Sequence, residues 1–382
     1  MKWLQKLLTI MLLFPLPAYS YDWLSETGWF EYMERYQQIK KYENDLFRWW
    51  RWKSSGLFMQ YSPQYPLWSD GAEKRRWIYI PKNAEINTKN PDDWRFPVGT
   101  RIWKEFSFRN EAAQALPIET RYLEKQANGD WLMETFVWDE NRQDAKKTSE
   151  EGIKNAYYLG DGKYYDIPGF HDCQYCHTKA GIENGPQKTA VLGFSALQLS
   201  DARDLRALHN EPLSKDMVLL SNLQRIGLVS NDMDQFPEIP YSEKAPLQRI
   251  AFGYLFGNCA HCHNPAGMAE FTTTLSFFHP AKAAFIQENH TYSTALAKNI
   301  TPYLNPENSP AMVIKPGLPE ESALVYRFSN EVDRYQFTVP QWHHTAGFSV
   351  EVGVKMPFTG TNLVDQKALT LIKEYIKQLQ TD

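Results

Sequence analysis

The stretch Ile118-Glu-Thr-Arg-Tyr-Leu-Glu-Lys125, Gln126-Ala-Asn128-Gly129-Asp130, Trp131-Leu-Met-Glu-Thr-Phe-Val-Trp138 reads as two strands joined by a tight turn. Asn-Gly accepts the left-handed backbone that hairpin turns need, so an antiparallel pair is predicted. Working outward, Arg76-Trp77-Ile78-Tyr79-Ile80 reads as a strand running into Pro81. Thr100 to Phe108 alternates Ile102, Phe106 and Phe108 against Arg101, Glu105 and Ser107, the period of a half-buried strand. Gly56 to Asp166 is therefore expected to be a mainly antiparallel β-domain, leading through Pro168, Gly169 and Phe170 into Cys173. Before it, Tyr21 to Ser55 reads as helical, with Tyr32, Met33, Tyr36 and Ile39 on one face. After it, Asp201 to Asn258 also reads as helical, with Leu213 to Leu228 a buried helix and Gln248 to Phe256 leading into Cys259. Asn264 to Leu363 is rich in Pro and loops. A last amphipathic helix follows, capped by Asp365, with Leu369, Ile372, Ile376 and Leu379 on its apolar face.

The predicted fold class is thus α+β. Its parts are a leader over 1–20, a helical aromatic segment over 21–55, a β-rich domain over 56–200, a helical connector over 201–244 and an α-helical domain over 245–382. The chain has 382 residues, 43% hydrophobic and 14% aromatic, which excludes a disordered or fibrous class. A formal net charge of −4 offers no general nucleic-acid surface. Met1, Lys2 and Lys6, an apolar run from Leu7 to Leu16, then Ala18, Tyr19 and Ser20 follow the order of a secretory signal peptide cut after Ser20. The rival is an uncleaved anchor; a lipoprotein anchor is excluded because no Cys follows the apolar run. The basic, aromatic cluster Arg48-Trp49-Trp50-Arg51-Trp52-Lys53 either touches a membrane surface or partner, or docks on its own protein.

The four cysteines fall as Cys173-Gln-Tyr-Cys176-His177 and Cys259-Ala-His-Cys262-His263. Both are C-x-x-C-H, the attachment pattern of c-type haem. On a helical turn, positions i and i+3 share a face, so both sulfurs can reach the two vinyl groups of one haem edge. The His at i+4 then stands under the ring and binds iron. With nine His in the chain, His follows both pairs by accident less than about once in a thousand. Two haem c groups are expected, ligated by His177 and His263, which assigns every Cys and needs the oxidising compartment that the leader implies. The expected localisation is the periplasm. A two-dithiol redox protein or a zinc protein is the non-haem alternative.

Each iron has a second axial position. Met356, in Lys355-Met356-Pro357-Phe358, is the expected ligand of the second haem, because Pro357 stiffens the loop that would hold its thioether. Met312, His343 and His344 are its rivals. For the first haem Met133, Met217, Met233 and His209 are all possible, or the position is vacant; His171 stays near the proximal side. Asp70, Lys74, Arg75 and Arg76 form a cluster that serves as a strand end, a propionate clamp or a substrate site.

Tyr65-Pro-Leu-Trp68-Ser69-Asp70-Gly71-Ala72-Glu73-Lys74-Arg75-Arg76, Trp94-Arg-Phe-Pro-Val-Gly-Thr100 and Glu119-Thr120-Arg121 resemble the signatures of a poorly characterised family of exported dihaem c-type cytochromes. Lys315-Pro316-Gly317 through Ser322-Ala323-Leu324 fits the same group, and the resemblance spans Gly56 to Leu379. The N-terminal half is also similar to cytochrome P460-like β-domains, and the C-terminal half resembles a class I cytochrome c domain enlarged by loops. The resemblance implies a β haem domain followed by a cytochrome c-like domain. The function expected is electron transfer through two haems, with a redox protein or small molecule as donor or acceptor. The rival is an oxidoreductase whose five-coordinate first haem meets peroxide, a nitrogen oxide or an organic substrate and is reduced by the other haem.

Overall fold

In the computed structural model the Asn128–Gly129 turn closes as predicted: Ala115–Lys125 and Trp131–Trp138 pair antiparallel, Lys125 opposite Trp131. Gly129 takes φ of 93°, open to a residue without Cβ. The structure describes residues 20–40, 48, 51, 53–177, 190–229, 235–271, 273–299, 310–329, 334–339, 348–353, 355–357 and 359–379. All of the expected leader except Ser20 lies outside them, as do Trp49, Trp50, Trp52, Met233, His343 and His344. Among the described residues no helix is long and apolar enough to cross a membrane.

The chain begins with helix α1 (Trp29–Ile39) and continues into a six-stranded antiparallel sheet of β1 (Leu57–Tyr61), β2 (Glu73–Ile80), β3 (Arg101–Arg109), β4 (Ala115–Lys125), β5 (Trp131–Trp138) and β6 (Ala145–Lys147). Strands adjacent in sequence are adjacent in the sheet. Because side chains alternate along a strand, the sheet has two different faces. One carries Phe58, Trp77, Trp103, Tyr122 and Phe136, all buried, and α1 covers it. Trp29 meets Trp77 edge-on with ring centroids 4.8 Å apart, and the Trp103 indole donates to Thr27 Oγ1 at 3.0 Å. Each such ring removed from water contributes on the order of 2–3 kcal/mol.

The opposite face is apolar at its two ends and charged between them. At one end Ile78, Ile80 and Ile102 join a core with Phe194, Leu199, Val218 and Leu223. At the other, Phe106 and Phe108 pack on Tyr165 and Ile167, from the hairpin of β7 (Gly152–Gly160) and β8 (Lys163–Pro168). Between them stand Arg76, Lys104 and Arg121. Helix α2 (Phe170–His177) begins directly after β8.

The expected helix over Leu213–Leu228 shrinks to α3 (Leu220–Arg225). Val218 N–H donates instead to Gln60 O at 3.0 Å and Met217 makes a single bridge to β1, after a turn at Lys215 and Asp216. The Arg48 guanidinium is buried and donates to Asp216 O at 3.1 Å, which docks this part of the basic, aromatic cluster on the protein itself.

The C-terminal half is built on α4 (Gln248–Asn258), with α5 (His290–Thr294), α6 (Ala323–Ser329) and α7 (Gln366–Gln378). Phe252 meets Tyr375, and Tyr254 meets Phe328. Asp365 Oδ1 caps α7 by accepting Ala368 N–H at 3.2 Å, and Leu369, Ile372 and Ile376 are buried, as the periodicity requires. A hairpin of β9 (Arg334–Val339) and β10 (Phe348–Gly353) stands in the region read as loop-rich. The whole is mixed, a large antiparallel sheet with helices following it, in keeping with an α+β class.

Candidate functional site

The first cysteine motif lies on helical backbone and the second on the turn that follows the last residue of α4, Asn258, and both are seated by close approaches that demand glycine. Gly169 separates β8 from α2; a Cβ there would stand 2.0 Å from Glu150 O, so the chain can turn into the helix only without one. Cys173 N–H donates back to Gly169 O at 3.2 Å, and Gly169 N–H to Asp172 Oδ2 at 3.2 Å. The motif at Cys259 extends α4: Cys259 N–H donates to Leu255 O at 2.8 Å and His263 N–H to Cys259 O at 2.9 Å, an i to i−4 bond. Each motif therefore presents two thiols and one imidazole from a single helical turn.

The two motifs come together. Cys262 Sγ lies 3.9 Å from Cys176 Sγ and 3.4 Å from Tyr175 O, while Cys176 Sγ, a His261 ring nitrogen and Cys262 Sγ all fall within 4.8 Å of one another. Around them, Thr359 Oγ1 donates to Asp172 Oδ1 at 3.0 Å beside the first motif, and the segment beginning Tyr65-Pro66-Leu67-Trp68 packs on α4 beside the second. Gly253 and Gly257 of α4 pack against Tyr65 so closely that a Cβ would meet its ring at 2.1 Å and its carbonyl at 2.4 Å. Trp68 N–H donates to Asn258 Oδ1 at 2.6 Å, next to Cys259. Asp70, buried, accepts Asn362 N–H and Leu363 N–H, each at 2.8 Å. The pattern of these residues suits a strand end; the structure makes Asp70 a tie between the halves.

The imidazoles are set for ligation. His177 Nδ1 is 2.5 Å from Ala190 O, thirteen residues on, which fixes the ring and leaves Nε2 to face outward from that bond. The His263 ring meets Phe277 edge-on with ring centroids 5.5 Å apart, and its buried Nδ1 makes no hydrogen bond. Burial pushes His177 down to about 3 and His263 to about 4, so both are neutral at neutral pH. Burial also raises the Cys173 thiol to about 11 and that of Cys259 to about 12; Cys176 reaches about 12 through its contact with Cys262 and through burial. Such thiols lack the low pKa of a dithiol redox centre. Cys173, Cys176, His177, Cys259 and His263 are all partly accessible.

No family model, curated protein or solved structure matches the chain.

The other candidate residues divide. Met356 stands against Trp68, Tyr254, Asn258 and Phe328, beside the end of α4 that carries Cys259. Its N–H donates to Arg327 O at 2.9 Å, and the charge of Arg327 is felt at His263. Met312 is tied by its backbone to Asn299 and Ala323. His209 is corrected: its Nε2 lies 2.6 Å from Asp365 Oδ2 and its ring packs on Trp68, which commits it to the α7 cap. Met217 sits beside Gln60 at the edge of β1, and His171 is exposed against Phe170. Met133 is buried on the charged face of the sheet, in the row next to Arg121. Arg75 pairs with Glu105 on the opposite face, apart from Lys74 and Arg76. Sequence reasoning missed His261, whose meeting with Cys176 depends on contacts between distant segments.

Proposed function

We propose that the chain is an exported, periplasmic dihaem c-type cytochrome that transfers electrons between a redox partner and a second donor or acceptor. The observation that carries this reading is at the first motif: His177, at i+4 of the Cys173 turn, has its Nδ1 2.5 Å from Ala190 O, thirteen residues later. That second-sphere bond orients a ligating imidazole and raises its donor strength. Cys173 and Cys176 would hold one haem and Cys259 and Cys262 the other, with His177 and His263 as iron ligands and Met356 as the second ligand of the latter. When bound, haem iron supplies a one-electron couple whose potential depends on its axial ligands and burial. The chain fixes the His177 ring through Ala190 O, keeps both imidazoles neutral and brings Cys176 and Cys262 within 3.9 Å of each other. In this reading the sheet and α2 form a β haem domain, and α4 to α7 a cytochrome c-like domain.

Mass measurement of the mature protein tests the proposal, with haem iron counted per chain. Two haems are expected, and Cys176→Ser should lose stable incorporation of the first; a colourless product from a host competent in haem attachment overturns the reading.

A second reading rests on the Cys176, His261 and Cys262 group, three ligands that suit a tetrahedral zinc site with one open position. It predicts about one zinc per chain and no visible absorption.

A further inference from the structure

The face of the sheet turned away from α1 carries three cations in direct cross-strand register: Arg76 stands opposite Lys104, and Lys104 opposite Arg121. Lys74 lies one pair along, beside the Phe106–Glu119 pair. Like charges directly opposite one another destabilise a sheet, and inside a protein they do so strongly unless each is matched. Arg76 is matched by Glu211 at 2.7 Å, and Arg121 by Glu119 at 2.7 Å. Lys74 Nζ donates to Leu67 O at 2.5 Å. Lys104 Nζ lies 4.7 Å from the Phe106 ring centre and, among the described residues, meets no carboxylate at ion-pair distance. Four basic side chains are thus met by two carboxylates, and burial and the neighbouring Arg76 and Arg121 hold the Lys104 ammonium well below its ordinary value, so that an added anion would restore its charge. Asp365 acts on Lys74 only from a distance and is engaged by His209 and the α7 cap.

Lys104 is partly accessible, and Arg121 also donates to the Tyr165 hydroxyl at 3.2 Å, on β8, the strand that runs into the first cysteine motif. The charges of Lys104 and Arg121 are felt at His177, and that of Arg121 at Cys173, so the row borders the first cysteine motif. Two guanidinium groups flanking an ammonium form the donor set that binds a carboxylate or small inorganic oxyanion.

We propose that Arg76, Lys104 and Arg121, assisted by Lys74, form an oxyanion-binding site on the sheet face beside the first C-x-x-C-H motif. The anion comes either from solution, as a small inorganic oxyanion, or from the carboxylates of a haem held at Cys173 and Cys176. Only the haem source rests on the function proposed above.

The test is titration of the purified full-length protein with nitrite, sulfite and phosphate, followed by melting temperature and visible spectrum. A free-anion site gives saturable stabilisation by at least one of them, with affinity lowered tenfold or more in both Lys104→Met and Lys104→Gln. If haem carboxylates fill the site, none of the anions has an effect, but both variants shift the first haem to lower potential, because removing a nearby cation favours the ferric state. Absence of both anion-dependent stabilisation and a potential shift overturns the proposal. A colourless protein defeats the haem reading alone, since the melting titration stays readable without haem.

Discussion

The Sγ of Cys176 lies 3.9 Å from the Sγ of Cys262, although 86 residues separate them in the chain. Each is the second cysteine of its motif, so the two attachment turns meet at corresponding corners. If each motif holds a haem, as proposed, these two cysteines would be the nearest attachment points of the pair. For a chain made without haem the approach means that the second cysteines are nearer to each other than folding requires of unrelated thiols.

Cross-linking checks that geometry. Oxidation of the haem-free chain is expected to give a Cys176–Cys262 disulfide, read as linked peptides after digestion without reductant. Pairing confined to Cys173–Cys176 and Cys259–Cys262 would contradict it. In the matured protein the same closeness predicts magnetic coupling of the two ferric irons, seen as broadened paramagnetic resonance.

Asp70→Ala removes the acceptor of two backbone N–H groups, Asn362 and Leu363, at a buried site. Stranding them costs about 1.5–3 kcal/mol, the range for hydrogen bonds to a charged group. Denaturant unfolding is expected to show that loss, and a change below about 0.5 kcal/mol, the scatter of neutral surface substitutions, would remove Asp70 from this role.

Local pattern made part of this molecule legible and long-range contact hid the rest. The Asn128–Gly129 hairpin, the strands around Trp77 and Trp103 and the Asp365-capped helix are written in neighbouring residues, and they stand in the structure as read. Leu213 to Leu219 carries apolar spacing that a helix would use, yet its backbone is taken by β1 through Val218 and Gln60. The cysteine motifs announce themselves by spacing, but their meeting does not, since it joins Cys176 to Cys262 across 86 residues. The cation row is equally silent: Arg76, Lys104 and Arg121 become neighbours only once strand register is known.

Gly257→Ala tests the packing that seats the motif at Cys259. The new Cβ would stand 2.4 Å from Tyr65 O, a backbone atom that can yield only by moving the Tyr65–Trp68 segment. Overpacking of this kind costs about 1–3 kcal/mol. A lowered melting temperature together with incomplete occupancy of Cys259 and Cys262 is expected, and wild-type behaviour in both would show that α4 does not depend on this approach.

Glu211 gives the acid limb of stability a specific source. Burial pushes its carboxyl upward, but Arg76 at 2.7 Å and the Ser62 hydroxyl at 2.6 Å outweigh that and hold it below the ordinary value of 4.5. A carboxyl depressed in the folded state binds fewer protons there than in the unfolded chain. Its contribution is therefore complete above about pH 4.5 and is lost as pH falls through the folded value. Glu211→Gln should lower stability by about 3 kcal/mol at neutral pH, because Arg76 is left without its buried partner, and should flatten the decline of stability below pH 4.5. An unchanged acid limb in unfolding titrations would place that decline elsewhere.

Met356→Ala separates ligation from packing. Met356 is half-buried and lines a cavity with Trp68, Tyr254 and Phe328, so its loss costs about 1–2 kcal/mol whatever else it does. Met356→Leu restores most of that volume without sulfur. If the thioether binds the iron held by His263, both variants lower that haem's potential and abolish the sulfur-to-iron absorption, while Leu alone recovers stability. If Met356 only packs, Leu restores stability and leaves potential and spectrum at wild-type values, and the ligand must then be sought at Met312, His343 or His344.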